Sequence, residues 1–146
     1  MEQTRKNLKS TSIIVLALGG LTLLNILFEV FFGEIKNADI PAGSPDNILL
    51  ITQIFVVVLS LLMLLPQFYI GFKGLKMAKN PNASRGHIIW AIILFVFAII
   101  SMISPLIAII KQESLFENIS ELLSMSVDVI ILYEYIKYAK AVSKMN

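Results

Sequence analysis

Few residues of this chain could do chemistry, and several of them share one helical stripe. Glu117, Ser120, Glu121, Ser124 and Asp128 recur at roughly 3.6-residue spacing, the period of an α-helix face. Asp128 is the ionisable residue nearest the middle of a long apolar segment. A charge at the centre of a bilayer costs at least about 2.5–3.5 kcal/mol on insertion scales and tends to mark an ion path or a proton relay. The site reading therefore makes Asp128 a cation or proton site. Ser124, Ser60, Gln53, Asn25 and Glu29 are the other candidates to line it, because all of them fall at the midplane or in the same outer half of the apolar segments. The competing reading keeps Asp128 neutral, bonded to Ser60 or Gln53 as glue between helices.

Other chemistry is poorly represented. There are no cysteines and one histidine, His87, which removes thiol chemistry and multi-histidine metal sites. There is no P-loop, no glycine-rich dinucleotide turn, no H-E-x-x-H and no G-x-S-x-G. Neither catalysis, a cofactor nor a bound metal is expected. An intramembrane lipid-modifying enzyme would need more clustered acids, His or Cys than the chain carries. His87 reads as a residue of the membrane boundary.

The elements that must position these residues are apolar. Hydrophobic residues make up 57% of the 146, against about 45–50% in soluble domains. They gather into four blocks near the 20 or so residues that cross a bilayer: Thr11 to Phe32, Ile48 to Ile70, Ile88 to Ile110 and, less purely apolar, Leu115 to Tyr138. The predicted fold is an all-α integral membrane protein, a single domain over residues 1–146 with four transmembrane helices in an antiparallel up-down-up-down bundle. Gly19 and Gly20 would allow a second backbone to come close to the first span. Gln53, Ser60, Gln67 and Gly74 recur every seven residues on the second span, as one slowly drifting seam. Pro66 should kink that span and Pro105 should bend the third.

Local signals set the ends. Ser44-Pro45-Asp46 is a good helix start, and Ser114 with Glu117 matches a capping box. The second helix should continue to about residue 79, carrying Lys73, Lys76 and Lys79 out among the headgroups. With Arg85 these lysines form a basic cluster facing lipid, attracted to anionic headgroups by about 1 kcal/mol per charge near the surface. All Lys and Arg residues except Lys36 and Lys111 lie at the N-terminus, around the middle loop or at the C-terminus. The positive-inside rule then makes both termini cytoplasmic. An excess of lysine over arginine and abundant isoleucine suggest an AT-rich bacterial genome, hence a bacterial plasma membrane.

Two functions fit. The first is a small transport or permeation protein with an outward-open polar cleft and Asp128 at its floor. One bundle of four helices leaves little room for a channel, so this reading implies a homo-oligomer. The second is a non-catalytic accessory or immunity-type membrane protein that acts by helix–helix contact with a partner. The expected partners are the lipid bilayer and either further copies of the chain or another membrane protein; no nucleic acid is expected.

Overall fold

The computed structural model describes residues 2–32, 46–112 and 114–145. Every element among them is helical: α1 (Glu2–Phe32), α2 (Asp46–Lys79), α3 (Gly86–Ser101), α4 (Ile103–Ile110) and α5 (Leu115–Ser143). In hydrocarbon each backbone N–H and C=O must be satisfied within the chain, and long Leu, Ile, Val and Phe runs meet that demand as helices. α1, α2 and the pair α3–α4 are long and apolar enough to cross a membrane. α5 matches them in length, with 29 residues, but carries the acidic stripe. α1 starts at Glu2, so the basic leader is part of the first helix. The outer loop around Glu34, Lys36 and Asp39, and the cap residues Ser44 and Pro45, lie outside the described residues.

The four rods form a ring. α1 packs against α2 and α5, α5 against α3 and α4, and α3 against α2. Two arginines fasten helix ends. Arg5 donates to the carbonyls of Ala78 (2.8 Å) and Lys79 (2.5 Å) at the end of α2. Arg85 donates to Ser143 O (2.7 Å) at the end of α5. Terminal carbonyls have no partner inside their own helix, and a guanidinium supplies one together with a favourable charge for the negative helix end.

The core sits at this basic end. Leu8, Ser12, Val15, Ile70, Met77, His87, Tyr135, Ala139 and Val142 are buried there. Its closest approach is at Gly74. A Cβ on Gly74 would meet the Tyr135 ring at 2.6 Å and would also collide with Ser12 Oγ. The missing side chain lets Tyr135 lie across α2 and donate from its hydroxyl to Ile70 O at 2.6 Å. Gly71 similarly admits Leu16, and Gly19 sits against Phe68. Beyond the middle of the bundle the pattern reverses. There Pro105 is the one buried residue among those described, and Leu24, Phe28, Ile51, Phe55, Ile100, Phe116 and Leu123 are all exposed. An apolar surface this continuous is not tolerated in water and is ordinary in lipid.

Three local features go beyond the expectations. His87, at the start of α3, is fully buried within the bundle, because the Arg85 anchor presses the first turn of α3 onto α5. Its ring meets Tyr135 edge-on at 6.1 Å, and Nδ1 lies 2.9 Å from Ser84 O. A carbonyl only accepts, so Nδ1 carries the proton and Nε2 is a buried acceptor with no partner among the described residues. The capping box at Ser114 does not form. Ser114 adopts a left-handed conformation (φ 39°) and makes no side-chain cap, whereas capping needs an extended residue whose hydroxyl can turn back to the first amides. Ser114 accepts instead, through its carbonyl, from the side chain of Asn118 at 3.2 Å. Finally, α2 runs helical from end to end with Pro66 inside it, whereas the third rod divides at Met102, just before Pro105, in line with the expected bend there.

The Gly74 contact predicts an ordered series in unfolding from mild detergent. Gly74→Leu should lose about 1–3 kcal/mol by overpacking, and Tyr135→Phe about 0.5–1.5 kcal/mol with the Ile70 bond. Gly20→Ala, where a Cβ meets nothing within 4 Å, should leave the transition in place.

Candidate functional site

Where the packed core ends, the helices surround a half-enclosed cavity of about 540 Å³. Its floor is formed on the basic side by Val15 of α1 and Gln67 of α2, with Ile131 and Leu132 of α5. Its walls are mainly apolar: Leu18, Leu21, Met63, Leu94, Phe97 and Ala98. Five polar residues enter it, namely Thr22, Gln67, Ser101, Ser124 and Asp128. Asp128 is the only one of the five that ionises, and no basic residue among those described lines the cavity.

Helical geometry explains this set. Ser124 and Asp128 are four residues apart, one above the other on the face of α5 that looks inward. α5 can present that face to the interior because Tyr135, seven residues after Asp128 and on the same side, is locked over α2. Gln67 reaches the floor from one turn before Ile70 and Gly71, where α2 lies close to α1, and its Nε2 is 3.4 Å from Val15 O. That leaves its Oε1 as an acceptor. Ser101 stands at the end of α3. Its hydroxyl donates to Phe97 O at 2.8 Å. Pro105, four residues later, has no N–H to return to the Ser101 carbonyl, so a backbone oxygen loses its helical donor at a residue of the cavity wall. Irregular backbone at membrane depth is tolerated where it lines a cavity.

The sequence-predicted candidates divide. Asp128 and Ser124 meet in the cavity and are exposed there. Gln53 and Ser60 lie farther along α2, half-buried, and do not line it. Neither is bonded to Asp128. Among the described residues no hydrogen bond or ion pair engages that carboxyl, so the interhelical glue is not seen. Asn25 and Glu29 bond to each other at 3.2 Å on the exposed outer part of α1, away from the cavity. In the basic cluster Lys76 and Lys79 are exposed, Lys73 lies over the Tyr69 ring at 5.7 Å, and Arg85 is engaged in anchoring α5.

Three lining residues were absent from the predicted set. Gln67 was read as part of a packing seam, and it does pack, yet it also faces the cavity. Thr22 shares a face with Asn25 and Glu29, but it is the member nearest the core. Ser101 carried a readable signal, a proline four residues later that strips its carbonyl of a donor. No protein-family profile, curated protein or solved structure matches the chain.

The lack of native cysteine allows a direct accessibility check. Ser124→Cys and Ser101→Cys should react in the folded protein with a water-soluble, positively charged thiol reagent, and Ser12→Cys, at a fully buried position, should not. Equal protection of all three positions would mean that the cavity is sealed.

Proposed function

We propose that this chain is a small polytopic membrane protein of four crossings, both termini cytoplasmic, whose central cavity binds a cation or exchanges a proton at Asp128 in the course of transport or permeation. The observation that carries the reading is the Asp128 carboxyl itself: among the described residues nothing bonds it, and no positive side chain enters its apolar-walled cavity to neutralise it. A polar group so placed is costly unless something binds it, and the matching ligand is positive.

Membrane placement follows from the exposed apolar belt and the basic end. α5 crosses too, because it lies in the ring between α1 and α3–α4 and turns Ser124 and Asp128 inward. The basic end, with Arg5, Lys73, Lys76, Lys79 and Arg85, is cytoplasmic by the positive-inside rule. The cavity therefore opens toward the outside and is plugged on the cytoplasmic side by Val15, Ile70, Met77 and Tyr135. Full passage requires that plug to move, or a path completed by further copies of the chain, and either suits a gated carrier better than an open pore.

Vesicles reconstituted with purified protein test the reading. Wild type should dissipate an imposed proton or cation gradient, and Asp128→Asn should slow this by about tenfold or more, the loss of a charge-assisted contact. Flux in Asp128→Asn equal to wild type would end the proposal.

A further inference from the structure

The walls of the cavity restrict which cation it can take, an inference that rests on Asp128 as the cationic site. A bare metal ion needs a close oxygen cage; calcium, for example, takes 6–8 oxygens at 2.3–2.6 Å. No group of three or more acidic, His or Cys side chains capable of holding a metal exists among the described residues. The cavity offers one carboxylate and a few neutral oxygens, spread over four helices. Its volume of about 540 Å³ falls instead within the roughly 300–1,000 Å³ of sites that enclose small organic molecules, which are mostly apolar with a few placed polar groups. Leu18, Met63, Leu94, Phe97 and Leu132 would strip a hydrated inorganic ion of water and return nothing. The same side chains stabilise an apolar body by removing its surface from water.

Charge is also one-sided. The carboxyl of Asp128, with Ser124 one turn away, comes from α5, whereas α1 and α3 present mainly hydrocarbon, Leu18, Leu21, Leu94 and Phe97, with only the neutral hydroxyls of Thr22 and Ser101. We infer that the cavity takes a monovalent organic cation, a protonated amine carrying an apolar body, with the ammonium held at Asp128 and Ser124 and the body against Leu18, Leu94 and Phe97. The ammonium donates to the carboxylate and the Ser124 hydroxyl oxygen, and no covalent step is involved. Such a ligand matches the site in charge, in size and in the division between its two ends, where a proton or metal ion would match only the charge.

Equilibrium binding to the full chain in nanodiscs tests this, with 1-naphthylmethylamine as the probe and 1-naphthylmethanol as its uncharged counterpart. The amine should bind wild type and lose about tenfold or more in Asp128→Asn. The alcohol should bind both proteins alike and more weakly than the amine binds wild type, which also shows that the variant keeps its cavity. Ala98→Phe, which fills the cavity but leaves Asp128 in place, should abolish binding of both compounds. Sodium and calcium should fail to displace the amine. Displacement by sodium or calcium at comparable concentration, or amine binding unaffected by Ala98→Phe, would overturn the organic-cation inference and leave Asp128 as an inorganic cation site. Amine binding identical in wild type and Asp128→Asn would overturn both.

Discussion

The contact on which the structure depends is the passage of Tyr135 across Gly74. Helices in lipid gain little from burying apolar side chains, since the surrounding tails are as apolar as leucine. They associate through close packing and through hydrogen bonds that lipid cannot replace. Tyr135 uses both: its ring fills the space left by the missing side chain of Gly74, and its hydroxyl bonds the Ile70 carbonyl at 2.6 Å. Ser12 of α1 meets the same glycine and His87 of α3 lies edge-on to the same ring. One tyrosine thus touches two other helices, with Ser12 of a third against the same glycine, and the arginines that bond the ends of α2 and α5 hold the joint from the basic end.

A joint at one end has a consequence at the other. α1, α2 and α5 continue far past it, and nothing comparable holds their distal halves together among the described residues. The cavity begins where the packed core ends. Because the rotation of α5 about its axis is fixed by Tyr135, residues at −7 and −11 from it, Asp128 and Ser124, are turned to the cavity. The ring whose seat closes the bundle therefore also aims the carboxyl. The packing residue and the cavity residues lie on one helical face.

The division between legible and illegible features follows from this geometry. The helices were legible because apolar blocks of membrane length admit no other backbone arrangement. The basic end was legible as a charge sum, and Asp128 with Ser124 because a four-residue spacing on one helix is independent of tertiary detail. Partners contributed by other helices were not. Gln53, Ser60, Asn25 and Glu29 have the polarity of site residues, but on α2 the lining position is Gln67, fourteen residues and about 21 Å along the helix from Gln53, and which turn of a helix meets the cavity depends on how its neighbours pack. Arg85 was read as a headgroup-facing charge and Arg5 only as part of the basic N-terminus, and only the antiparallel meeting of helix ends turns them into caps. The burial of His87 was illegible for the same reason: its position in the chain is peripheral, while its position in the packing is central.

A carboxyl in an apolar-walled cavity above a packed floor is the basis of the proposed cation site. The ionisation state of Asp128 reports on this most directly. Infrared spectra of wild type in nanodiscs, recorded at fixed pH with Asp128→Asn as the blank, resolve its carboxyl from its carboxylate band. Binding of a cation at Asp128 requires either the carboxyl band to fall as the carboxylate band rises or, where Asp128 is already ionised, the carboxylate band to shift as the cation is added. A band unmoved by every cation, inorganic or organic, would contradict a site at Asp128 and leave that residue a structural element of the bundle.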